Sequence, residues 1–156
     1  MKVLKKVLVF FIVFSLMALI SGCGEKNIEG KLEDLMSKVY ENLPEDKTPM
    51  GLSNMEVNDE NVEGFLGTAD IEYEEALASE SMTGSIAHSV VLVRIKDAKN
   101  AEEVMSKIKE NVNPRKWICV GVEEDQVIVK NKGNLIILIM AADGASELEA
   151  GFDGLE

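Results

Sequence analysis

Two cysteines and one histidine are the side chains of this 156-residue chain whose types invite covalent or acid–base chemistry. Cys23 closes the run Leu19-Ile20-Ser21-Gly22-Cys23. Behind it lies an apolar stretch from Val7 to Ile20, broken only by Ser15, and behind that the cations Lys2, Lys5 and Lys6. A basic start, an apolar core and a small-residue exit make the three parts of a secretory signal. The core's fourteen residues reach about 21 Å as a helix. Crossing a bilayer needs about 30 Å, so the segment is short for a permanent span. A thiol placed directly after Ser21-Gly22 resembles a lipobox. The chemistry it implies is thioether formation between the Cys23 sulfur and a diacylglycerol, followed by cleavage between Gly22 and Cys23. Each buried CH₂ of the acyl chains contributes about 0.8 kcal/mol, so two or three chains anchor firmly.

The other two reactive residues have less context. Once Cys23 is lipidated only Cys119 remains, which cannot form an internal disulfide, and it reads as a packed, inert strand cysteine. His88 stands between Ala87 and Ser89 in a strand-like run and reads as a sheet-surface or edge histidine. Nucleophilic catalysis needs a nucleophile, a base and an orienting group. The sequence has no Gly-x-Ser-x-Gly turn and no Cys/His pair in sensible context, so no catalytic residues are assigned. Asp59, Asn61, Glu63, Gly64 and Asp70 fall near the spacing of a calcium loop. Glu63 and Asp70 have the wrong type for their positions, and Pro49, Gly51 and Ser53 occupy the place of the entering helix. A capped helix over the same residues is the preferred reading. No metal ligands and no cofactor are assigned.

The formal charge is −12. Removing residues 1–22 removes three lysines and no acid, which takes it to −15. Such a chain is repelled by nucleic acid and by anionic headgroups. The expected partners are therefore the membrane, through the lipidated cysteine, and an envelope protein, with no nucleic acid. The expected location is the extracytoplasmic face of the cell membrane. The expected role is a non-enzymatic interaction or accessory module; the alternative is a lipoprotein that binds a small ligand or a metal.

These residues must be positioned by elements legible from periodicity. Glu25 to Leu43 places Ile28, Leu32, Leu35, Met36, Val39 and Leu43 at helical spacing, and Pro44 ends it. Asn58 to Gly67 reads as a short helix capped by Asn58 or Asp59 and closed by Gly67. Ile71 to Glu80 leans towards strand. Ile86 to Lys96 alternates as a strand, and Asp97 then caps a helix from Ala98 to about Asn111. Trp117 to Val122, Gln126 to Lys130 and Leu135 to Ala142 read as further strands, the last buried on both faces and so central. Asn131-Lys132-Gly133-Asn134 is a hairpin turn. Ser146 to Phe152 reads as a short terminal helix frayed by glycine. The acid runs Glu72/Glu74/Glu75 and Glu123-Glu124-Asp125 read as solvated faces and a turn. This order predicts an α+β fold: an antiparallel sheet of about four to five strands with helices on one face, behind a signal-peptide helix. The domain plan is signal peptide 1–22, lipidated tether 23–27, a single domain 28–143, and a weakly ordered tail or short helix 144–156.

Three segments between Asn58 and Asp143 share a further likeness. They are the helix ending Phe65-Leu66-Gly67, the strand from Ile86 to Asp97 that leads into an acidic helix, and the hairpin from Val127 to Leu138. Together with the lipobox, they resemble the small bacterial lipoproteins of the domain-of-unknown-function 4358 family, found mostly in Firmicutes. The resemblance implies a lipid-anchored location. It implies no activity and no functional residues, because that family brings none.

Overall fold

The computed structural model describes residues 26–156. The expected signal segment, with Gly22 and Cys23, lies outside the described residues. Strands β1 (Leu52–Glu56), β2 (Glu75–Ser81), β3 (His88–Arg94), β4 (Ile128–Lys132) and β5 (Leu135–Ala141) form one sheet in the order β1-β2-β3-β5-β4. Every pairing is antiparallel. The helices are α1 (Leu32–Tyr40), α2 (Val62–Leu66), α3 (Ala101–Asn111) and α4 (Ala145–Asp153). The expected α+β class is observed.

The helices do not share one face, as the sequence reading has them. On one face α2 and α3 cover Ala76, Ala78, Val91, Val93, Ile136, Leu138 and Met140. On the other, α1 and α4 cover Leu77, Val90, Leu92, Leu135, Ile137 and Ile139. The physical reason is in β3 and β5, where every residue is buried. Side chains alternate between faces along a strand, so a sheet apolar on both sides needs cover on both sides.

The N-terminal helix begins at Leu32, seven residues after the expected start. Residues 26–31 run non-helically instead, with Gly30 at φ +110°. Ile28, assigned to the helix stripe, is buried beside the sheet. Its amide donates to Asn134 Oδ1 at 3.0 Å, and Arg94 donates to the Ile28 and Gly30 carbonyls. Arg94 Nε also meets Glu75 at 2.7 Å. Gly133 (φ +57°) begins the two-residue turn between β4 and β5, and a Cβ there would lie 2.5 Å from the Lys26 carbonyl. The chain therefore enters the domain at the β4–β5 turn.

Three further differences matter. Trp117 to Val122 is a loop, not a strand: Cys119 sits at φ +62°, Ile118 N bonds to Gly84 O and Val122 N to Pro114 O. Leu52–Glu56, unassigned from sequence, is edge strand β1. The terminal helix is not frayed. Leu148 and Phe152 are fully buried, and Gly151 lets α4 approach α1 so closely that a Cβ would lie 2.2 Å from the Val39 carbonyl.

Candidate functional site

His88 begins β3 on the face covered by α1 and α4. It is 2% exposed, not the surface or edge residue expected. Tyr40, the last residue of α1, closes over it: the phenol oxygen lies 2.7 Å from His88 Nε2, and the rings are 5.8 Å apart, tilted by 46°. Burial drives the His88 pKa down to about 4, because the imidazolium loses its hydration. Burial pushes the Tyr40 hydroxyl well above the ordinary phenol range, and the neighbouring Ser79 hydroxyl partly opposes that rise. Ser79 Oγ is itself buried with no hydrogen bond of ordinary geometry. At neutral pH the site thus holds a neutral imidazole and a neutral phenol.

His88 also lines a cavity of about 290 Å³. The same cavity is lined by Asp46, Lys47, Pro49 and Met50 and by Ile86, Ala142 and Asp143. Lys47 forms an ion pair with Glu147 at the start of α4, which raises the lysine pKa and lowers that of the glutamate. Asp46 and Asp143 are exposed and form no ion pair among the described residues.

The opposite face has a second polar cluster at the same end of the sheet. Lys116 Nζ reaches Glu80 at 2.9 Å, Ser89 Oγ at 3.3 Å and the Gly64 carbonyl at 3.4 Å. It lies 4.9 Å from the Phe65 ring centre and 5.5 Å from that of Trp117. All its partners are internal, so this cluster pins the 113–122 loop to the sheet. At that end of the sheet Met50, Met82 and Ile118 are 76%, 66% and 72% exposed. Met82 N bonds to Gly51 O, and Ile118 packs beside Gly84, which ties these residues to one apex.

The remaining sequence candidates are not brought together with His88. Cys119 is exposed on the loop, contrary to the packed strand position expected. The calcium-like stretch is helix α2. Asn61 stands at its N-cap, with its side chain on Asn58 N and Glu56 O, and Asp70 pairs with Lys107. Among the described residues no group of three His, Cys, Asp or Glu side chains is arranged to hold a metal. Glu72 and Glu74 are exposed, Glu72 lining two surface pockets of about 470 and 540 Å³ and Glu74 the second of them, and Glu124–Gln126 is a 3-10 turn. Tyr40, Ser79, Asp46 and Asp143 carry no sequence signal that links them to His88, since the links span 9 to 55 positions.

No family model matches the chain, and neither a curated protein nor a solved structure was found to be similar to it.

Proposed function

We propose that this chain is a non-enzymatic lipoprotein, anchored through Cys23 to the extracytoplasmic face of a cell membrane, that presents the far end of its sheet to an envelope protein. The anchor rests on the lipobox-like run ending Gly22-Cys23 and on the resemblance to small bacterial lipoproteins. The observation that carries the display reading is the position of the chain's entry. Residues 26–31 are held at the Arg94 end of β3, beside the β4–β5 turn. Met50, Met82 and Ile118 are exposed at the His88 end. Seven strand residues put these ends about 20 Å apart. Only Gly24 and Glu25 separate Cys23 from Lys26, so three steps along the chain reach at most about 10 Å. A lipidated Cys23 would keep the Arg94 end near the bilayer and turn the apolar apex away from it.

The test places a photo-crosslinking residue at Met82 or Ile118, and separately at Asn131 beside the entry, in cells that keep the native anchor. The reading expects one reproducible envelope protein from the apex positions and lipid adducts from Asn131. Lipid adducts from the apex would overturn it. The cavity beside His88 favours a second reading, that of a small-ligand-binding lipoprotein.

A further inference from the structure

We infer that the open edge of β1 takes up an extended strand of a partner protein, one that carries lysine or arginine and joins the sheet beside β1. This deepens the display reading and rests on it, because it names how the envelope partner is held. β1 stands at one end of the order β1-β2-β3-β5-β4, so one side of it has no neighbouring strand. Met82 N bonds to Gly51 O and Val57 N to Ala76 O, which fixes the phase of the β1–β2 ladder. Bonded and non-bonded pairs alternate in an antiparallel ladder. Ser53 and Met55 therefore bond to β2, whereas Leu52, Asn54 and Glu56 turn their N–H and C=O groups outward. Among the described residues only Asn61 Nδ2 reaches any of these groups, at the Glu56 carbonyl.

The two edges of the sheet differ. β4 carries Lys130 and Lys132, both tied to the C-terminal segment: Lys130 to Glu149 and Asp153, Lys132 to the carbonyls of Asp153 and Leu155. Edge lysines are a common guard against strand addition. β1 reads Leu-Ser-Asn-Met-Glu, with no lysine, arginine or proline. Each of its residues pairs with one residue of β2, so no bulge twists the edge away. At five residues it is as long as an ordinary strand. A row of outward backbone donors and acceptors of this length is complementary to one kind of ligand, another extended strand.

Charge and position choose the strand. Residues 48–62 hold Glu56, Asp59 and Glu60 and no cation. A strand bearing lysine or arginine complements them, and an acidic one is repelled. The Leu52 end of β1 adjoins the apex, where Met50 and Met82 are exposed and Met82 N is bonded to Gly51 O. A strand laid along β1 meets both methionines there. A second copy of this chain fits less well. Laid antiparallel, it points its own Arg94 end, and with it the anchor, away from the membrane. Laid parallel, it brings Glu56, Asp59 and Glu60 of both copies to one end with no cation between them.

Amide hydrogen exchange followed by NMR reads the edge residue by residue. The full chain in detergent micelles would be titrated with an octapeptide of alternating valine and lysine, and with a valine–glutamate octapeptide as the control. In the protein alone the amides of Leu52 and Asn54 should exchange fast and those of Met55 and Val57 slowly. The lysine peptide should slow Leu52 and Asn54 about tenfold or more and leave β4 unchanged, and the glutamate peptide should do neither. Asn54→Lys, at an exposed position, should weaken binding about three- to fivefold through like charge, and Asn54→Asp should strengthen it. Unchanged Leu52 and Asn54 amides at millimolar lysine peptide, equal slowing by the glutamate peptide, or slow exchange in the protein alone that is lost on dilution, the mark of a second copy on the edge, would overturn the proposal. Lipid adducts from Met82 would sink the display reading and leave the amide result standing. An envelope-protein adduct at Met82 with unprotected β1 amides would sink strand addition alone.

Discussion

Acidification from about pH 7.5 to about pH 5 should remove roughly 2 kcal/mol of folding stability through His88 alone. The native imidazole has a pKa of about 4, held there by burial. Unfolding returns it to about 6.5. Between those values the unfolded state binds the proton and the native state does not, so stability falls as pH falls. The contribution is intact above about pH 6.5 and is lost down to about pH 4. The full gap of roughly 2.5 units corresponds to about 3 kcal/mol, at 1.36 kcal/mol per unit. About 2 kcal/mol of it is expressed by pH 5, where most carboxylates are still ionised. His88→Gln removes the titrating group while keeping a polar head for Tyr40. Urea unfolding of both proteins at each pH isolates the term, because the acidic surface is common to both. The wild type should lose about 2 kcal/mol more than the variant. Equal losses, or a smaller loss in the wild type, would refute the buried neutral imidazole.

Other substitutions test the rest of the architecture. Tyr40→Phe leaves His88 Nε2 and Ser79 Oγ buried without their neighbour, and should cost about 1–3 kcal/mol in urea unfolding. Gly151→Ala drives a Cβ into the Val39 carbonyl; set against its gain in helix propensity, the net loss should be about 1–2 kcal/mol, read as a fall in Tm. Lys116→Met strands the mostly buried Glu80 carboxylate and should cost about 3 kcal/mol, much of it recovered when Glu80→Gln is added. Arg94→Lys cannot span Glu75 and the Ile28 and Gly30 carbonyls at once, so faster amide exchange at Ile28 and quicker tryptic cleavage after Lys31 are expected.

Much of the fold was legible because apolar pattern dominates it. The runs in β3 and β5 announce strands buried on both faces, and Asp97 does accept from Lys99 N at the start of the turn leading into α3. The failures have local causes. Leu-Ser-Asn-Met-Glu of β1 is half-buried and mixed in polarity, as an edge strand often is. Ile118, Val120 and Val122 alternate like a strand, yet the positive φ at Cys119 breaks the extended path and leaves Ile118 in solvent. The glycines that suggested fraying in α4 include the one that allows its packing on α1. Small neighbours made His88 look like an edge residue, whereas its burial comes from Tyr40, 48 positions away. The candidate site was illegible for the same reason, since its parts meet only when α1, β3 and the 46–50 turn close on one another.

The central claim is the lipidated Cys23. Its most direct test is intact-mass and N-terminal peptide mass spectrometry of the protein extracted from membranes of the producing cell. The account predicts a chain beginning at Cys23 with a diacylglyceryl thioether, and an uncleaved, unmodified chain for Cys23→Ser. A free Cys23 thiol, or a mature N-terminus at any other residue, would contradict it.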